Sequence, residues 1–155
     1  MGDLIVPISP ALAASNRAQT ERLRALVATL DDAAFNIRLP NGWTVAGILA
    51  HLAFWDRQRL CLMRRWAAGN WCPGGYDGEL FNETMRPLLE LIPGDLAAGA
   101  ALHAAEEVDA FLLEVSDDVI AQALARSDAP NLDCGSHREY HLDQIEQALR
   151  GTGEV

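Results

Sequence analysis

The 155-residue chain contains no lysine, and its 12 basic residues, all arginine, face 22 acidic residues. The resulting formal charge of −10 at pH 7 opposes a polyanionic partner, because phosphate binding draws on clustered positive charge. The arginines are also scattered along the sequence, apart from the pair Arg64 and Arg65. We therefore expect no nucleic acid among the partners of this protein.

Long apolar runs and paired cysteines are also missing. No stretch of about 20 apolar residues is present, so we expect no membrane span. Residues 1–7 lack the basic region and apolar run of a secretory signal. The three cysteines form no CxxC pair and, being odd in number, do not make a disulfide framework. These features favour a cytoplasmic protein with reduced thiols.

Strand patterns are scarce, whereas apolar residues recur at helical spacing over most of the chain. Ser9 and Pro10 provide a cap and a first helical residue, and Thr44 provides a second cap. The pattern predicts an all-α four-helix bundle with an extra short helix and long connections, in one domain over residues 1–155. The four main helices are predicted from residue 10, over about 45–68, over about 96–115 after an Asp95 cap, and from Ser136 to about 150.

Two weaker helical segments and one loop complete this prediction. A shorter piece is expected over about residues 79–91, interrupted or bent at Pro87, and another over about 116–126. Residues 127–135 are expected to form a loop. Ser136 and Glu139 then match a capping box, which places His137 in the first turn of the last helix and His141 one turn later.

The histidines make the most definite chemical proposal. Residues four apart share one helix face, so His137 and His141 can converge on one cation. His51 lies in an apolar segment of another helix and is the best third ligand. A three-histidine site leaves a coordination position open, as reactive metal sites do.

Other interpretations of these residues remain. A histidine pair at this spacing also arises by chance, and a lone histidine on an apolar face is usually a hydrogen-bonded core residue. His103, followed by Glu106 and Glu107, is expected on a helix surface. Cys134 is a further candidate ligand that would favour zinc and close the site.

These residues resemble the DinB/YfiT-like superfamily of metal-binding four-helix bundles. The matching motifs are residues 42–45 (Gly-Trp-Thr-Val), residues 49–52 (Leu-Ala-His-Leu) with Trp55 and Asp56, and residues 137–145. Residues 77–82, followed by a broken long helix, also look like the middle section of that family. The resemblance spans about residues 9–149, and the order and separation of its motifs make it specific.

The resemblance implies a metal site and suggests a reaction. In that family one histidine of the second helix and two of the last bind a divalent metal such as nickel, zinc or iron, which corresponds here to His51, His137 and His141. Some members are transferases or isomerases that use low-molecular-weight thiols such as mycothiol or bacillithiol, and dimers are common. We therefore expect a divalent metal cofactor, a small-molecule substrate and a low-molecular-weight thiol as partners. We expect no nucleic acid or membrane partner, and we expect a homodimer.

A metal-dependent thiol S-transferase is the leading hypothesis, in which the open metal position stabilises a thiolate nucleophile. Trp55 and Tyr76 are predicted to form an apolar wall for the substrate, and the catalytic residues stay unknown. Asp56 and Glu139 are either acceptors for ligand N–H groups or, more simply, an arginine partner and a helix cap. Metal-assisted hydrolysis and non-catalytic binding of a small ligand or metal are the alternatives.

Overall fold

The computed structural model describes residues 9–73, 75–126 and 132–153. Helical segments dominate these ranges, and we number them α1 to α7 in chain order. Their bounds are α1 Pro10–Val27, α2 Asp32–Phe35, α3 Val45–Ala67, α4 Gly78–Leu89, α5 Gly94–Glu114, α6 Asp117–Leu124 and α7 Cys134–Gly151.

The four long helices α1, α3, α5 and α7 form the bundle. Helix α3 packs on α5, α5 on α1, α1 on α7, and α7 on α3, while α4 lies against α3. The described residues contain no β-strand, and their one isolated β-bridge pairs Arg38 with Thr44. The predicted all-α class is confirmed, and no described helix has both the length and the apolar character that crossing a bilayer requires.

Side-chain caps start several helices where the sequence predicts. The Ser9 hydroxyl accepts a hydrogen bond from the Leu12 amide at 3.1 Å, and Thr44 accepts one from the Gly47 amide at 2.9 Å. The predicted Asp95 cap is wrong. Helix α5 begins at Gly94 and has no side-chain cap, so Asp95 lies within its first turn, where a carboxylate still favours the positive end of the helix.

The start of α7 also differs from the prediction. The helix begins at Cys134, because the Asp133 carboxylate accepts hydrogen bonds from the Ser136 amide at 2.9 Å and the Ser136 hydroxyl at 2.6 Å. The predicted capping box of Ser136 and Glu139 is therefore wrong: the cap lies three residues earlier, at Asp133, and Ser136 donates to it. His137 accordingly follows the first three helical residues. Residues 127–131 of the predicted loop lie outside the described residues.

Two of the shorter helices correct details of the prediction. Helix α4 continues through Pro87 to Leu89. Pro87 and Glu83 are both exposed, so water can reach the carbonyl that the proline leaves without a donor. Helix α2 was not predicted, because four residues are too few to show a periodic pattern. It packs where α5 begins, and a Cβ on Gly94 would meet the Phe35 ring at 2.2 Å.

A polar layer divides the core into two apolar clusters. One cluster lies around the first half of α3, including Leu49 and Leu52, and the other lies around its second half, including Leu60 and Met63. Between them Asp56 of α3 meets Arg138 of α7 at 2.9 Å. Since His51 meets His141 and Arg59 meets Cys134, α3 and α7 run antiparallel.

Candidate metal centre and its cleft

Three histidines from two helices converge where α3 faces α7. His51 and His141 are buried, His137 is half-buried, and one ligand atom from each lies within 4.8 Å of the others. The ring centroids are 4.7 Å apart for His51 and His141, 4.8 Å for His137 and His141, and 5.2 Å for His51 and His137. Together the three side chains can hold a metal ion.

The separation of two ring nitrogens tests how well the residues fit such an ion. The Nε2 atoms of His51 and His137 are 3.2 Å apart. Two nitrogen ligands of a tetrahedral zinc ion, each about 2.0–2.1 Å from it, lie about 3.3 Å from one another. The two imidazoles are therefore already at the spacing that a shared ion requires.

The remaining ring nitrogens differ in their partners. His141 Nδ1 lies 2.9 Å from the Gln144 amide oxygen, so it carries the proton and leaves Nε2 as the free lone pair. The Nδ1 atoms of His51 and His137 are buried without a hydrogen-bond partner among the described residues. The one described hydrogen-bond contact of these two rings is therefore the approach of their Nε2 atoms to each other.

Burial keeps the three imidazoles neutral. Burial, reinforced by the neighbouring His141, lowers the pKa of His51 to about 3. Burial and the nearby His141 and His51 likewise lower the pKa of His137 to about 3. The pKa of His141 is also lowered by burial, although its bond to Gln144 opposes that shift. Neutral imidazole is the form that binds a metal.

The triad opens into a cleft of about 660 Å³ between α3, α7 and the start of α4. Two steps of four residues along α3 place His51, Trp55 and Arg59 on its wall. The lining residues are Asn41, Trp43, Ile48, His51, Trp55, Arg59, Tyr76, Gly78, Asn82, Asp133, Ser136, His137, Tyr140, His141 and Gln144. Asp133 is the single acidic residue among these lining residues.

Aromatic rings form one side of the cleft. Trp55 and Tyr76 stack with centroids 4.8 Å apart and an interplanar angle of 26°. The Trp55 indole nitrogen donates a hydrogen bond to the Asn82 side chain at 3.0 Å, which fixes the ring. Trp43 also lines the cleft, edge-on to His51 at 5.5 Å, rather than lying only in the core. The substrate-binding role of Trp55 and Tyr76 stays a prediction.

A buried arginine holds the helix that carries two of the histidines. The Arg138 guanidinium is fully buried and bonds to Asp56 at 2.9 Å and to Asp109 at 3.0 and 3.1 Å. It also donates to the Thr20 hydroxyl at 2.9 Å and to the Asn16 carbonyl at 3.1 Å. Three other helices therefore fix α7 next to His137.

Gly135 brings α7 against α1. Its amide donates to the Asn16 side-chain oxygen at 2.8 Å, and a Cβ at this position would lie 3.1 Å from the Asn16 backbone. A larger residue at this position would require Asn16 to move by a few tenths of an ångström. Because Gly135 lies two residues before His137, this close approach helps to fix the part of α7 that carries the histidine.

The structure decides several of the remaining interpretations. His103 is exposed beside Glu107, with 3.5 Å between Nε2 and the carboxylate, as expected for a helix-surface residue. Cys134 is buried outside the triad, and its sulfur accepts a hydrogen bond from Arg59 at 3.1 Å. Asp56 is the arginine partner that the simpler interpretation predicted. Glu139 is exposed and is not the cap of α7.

Three residues in or beside the site were not found from the sequence, although spacing pointed to them. Arg59 continues the four-residue steps from His51 through Trp55, and Gln144 follows His141 by three residues on the same helix face. Arg138 shares the buried stripe of Leu142 and Ile145, which could have marked it as a core residue. Asn82 had no comparable signal, because its bond to Trp55 joins two helices.

Comparison with known proteins gives one finding at the level of the family. The family model described as the DinB superfamily matches residues 16–145. The matched region includes the three histidines and both aromatic residues of the stacked pair. The curated proteins and the solved structures gave no match to the chain.

Proposed function

The chain belongs to the DinB superfamily, and from this premise we propose that it is a metal-dependent thiol S-transferase. His51, His137 and His141 would hold a divalent ion, with zinc, nickel and iron as the candidates. The observation that carries the proposal is the convergence of three neutral imidazoles at an open cleft. When bound, the ion would supply the positive charge that stabilises a thiolate nucleophile.

The chain's own residues would position the two reactants. The three imidazoles carry no charge that would cancel that of the ion, so an anion is favoured beside them. The stacked Trp55 and Tyr76 would bind the apolar part of the electrophile, and Asn82 would hold Trp55 in place. In the transfer the thiol would lose its proton to water in the open cleft, sulfur would bond to the electrophilic carbon, and the leaving group would depart with the bonding electron pair.

The polar lining of the cleft favours a thiol over water as the nucleophile. Hydrolysis draws on a general base, which is usually a carboxylate or a histidine. Among the lining residues the one carboxylate is Asp133, and both of its oxygens accept hydrogen bonds from Ser136. A thiol has a much lower intrinsic pKa than water and depends less on such a base.

An assay with three ingredients tests the proposal. Protein loaded with zinc, nickel or iron is mixed with an activated aryl chloride and with cysteine, mycothiol or bacillithiol. We expect a thioether product that requires both metal and thiol, is lost in His137→Ala, and is retained in the matched surface variant His103→Ala. Turnover without thiol would show a hydrolase instead, and tight ligand binding without turnover would show a binding protein.

Location and assembly are part of the same proposal. A reducing cytoplasm suits a chain whose three cysteines, Cys61, Cys72 and Cys134, are all free. The homodimer that the family resemblance implies is tested by light scattering of the metal-loaded protein. A mass of one chain at micromolar concentration would contradict it.

A further inference from the structure

Arg59 is a buried cation whose guanidinium is partly without acceptors among the described residues. The residue is only 8% exposed, and it lines the cleft that contains the three histidines. Its Nη1 donates to the Cys134 sulfur at 3.1 Å. Its Nε is buried without a partner, and no described residue accepts a hydrogen bond from Nη2.

The groups around Arg59 compensate its charge only in part. The Asp56 carboxylate lies 3.6 Å from Nη1, but its other oxygen bonds to Arg138 at 2.9 Å. Burial raises the pKa of the Cys134 thiol, so this neighbour stays uncharged. Asp133 is near enough for the charge of Arg59 to help lower its pKa, yet its oxygens are bonded to Ser136.

The unused edge of the guanidinium has the geometry of a carboxylate receptor. Nε and Nη2 present two parallel N–H groups, the fork that binds both oxygens of a carboxylate. Arg59 follows His51 by eight residues, or about 12 Å along the helix, and helical side chains lean back toward the N-terminus. Trp55 therefore lies between His51 and Arg59 along the α3 wall of the cleft.

We propose that Arg59 anchors a carboxylate group of the electrophilic substrate, whose apolar part lies along Trp55 and Tyr76 and whose reactive end faces the three histidines. This assignment rests on the proposed function, which it deepens by naming the substrate class as a small organic carboxylate. The anchor fixes one end of the substrate and leaves the other end at the open metal position.

Binding of a matched acid and amide to metal-stripped protein tests the anchor without any catalysis. Hydrocinnamate and hydrocinnamamide share one shape and differ in charge, and calorimetry measures both affinities. Because charged hydrogen bonds are stronger than neutral ones, we expect the acid to bind at least about tenfold more tightly. Stripping the metal removes the other cation that could bind the acid. Equal affinities in this wild-type measurement would overturn the proposal without the use of any variant.

Variants then identify the residue that recognises the charge. Arg59→Gln should remove the preference for the acid, whereas Arg57→Gln, a change at an exposed arginine of the same helix, should leave it intact. Circular dichroism confirms that each variant is folded. A preference that survives Arg59→Gln, or that appears only after metal is restored, would overturn the assignment.

A thiol pair decides which reactant carries the carboxylate. N-acetylcysteine and its amide are titrated into the same stripped protein. A preference for the charged form in this pair but not in the aryl pair would overturn the assignment to the electrophile. Failure of the transferase assay would leave these binding results unchanged, so the two proposals fail separately.

Discussion

Arg138 and His137 are neighbours in the sequence of α7, but they differ in how many of their hydrogen-bonding groups have partners among the described residues. Arg138 donates from Nε, Nη1 and Nη2 to acceptors on α1, α3 and α5. His137 has a buried Nδ1 without a described partner, and its Nε2 faces another imidazole nitrogen at 3.2 Å. Buried polar groups are normally hydrogen-bonded, so the arginine region serves the fold and the imidazole region is the candidate ligand site.

The largest expected effect on the free energy of unfolding comes from removing the Arg138 side chain. Arg138→Ala leaves the carboxylates of Asp56 and Asp109 without their guanidinium, and removal of one partner from a buried ion pair costs about 3–5 kcal/mol. Urea unfolding of metal-free protein measures this loss. The matched change His137→Ala should alter the free energy of unfolding by less than about 1 kcal/mol, because its one described hydrogen-bond contact is with the neutral imidazole of His51. Equal losses in the two variants would erase the distinction between the regions.

The second largest effect is expected when a metal ion binds to the three histidines. A metal ion that binds only the folded protein should raise its free energy of unfolding by about 2.7 kcal/mol at 100 times its dissociation constant. Elemental analysis should find about one ion per chain, and His137→Ala or His141→Ala should abolish this stoichiometric binding with helical content intact. His103→Ala is the control and should keep both the ion and the stabilisation. Full occupancy in either triad variant would rule out the triad.

The smallest effect concerns the group that orients one ligand. Gln144 accepts from His141 Nδ1, and loss of such a partner typically weakens metal binding about 10–100-fold. Competition with a chromophoric chelator measures the change in Gln144→Ala, and Gln147→Ala at an exposed position of α7 is the control. An unchanged affinity in Gln144→Ala would show that His141 needs no such support.

Local patterns in the sequence predicted much of the fold. Ser9 and Thr44 cap their helices as expected, because an N-cap is a local device that depends on three or four residues. The start of α7 was misplaced because Asp133 and Ser136 offer competing caps, and the choice depends on how the helix packs. Gly135, which lies between them, contacts Asn16 of a helix more than a hundred residues earlier.

The site was predictable in a different way. The pairing of His137 with His141 follows from spacing, whereas His51 joined them through the family resemblance and the apolar character of its segment. Arg59 and Arg138 could not be assigned, because an arginine in a helix is usually exposed and its burial depends on acceptors from other helices. The carboxylates that receive Arg138 come from α3 and α5, and no local pattern connects them.

The contact at Gly135 allows α1 to position the candidate metal site, although this helix contributes no histidine to it. The backbones of α1 and α7 approach each other closely at Gly135. Helix α1 therefore helps to fix the position of the two α7 histidines relative to His51. The ligand geometry is then set when the bundle assembles, before any ion arrives. A cation that binds the three imidazoles would then lose little of its binding free energy to rearranging the helices.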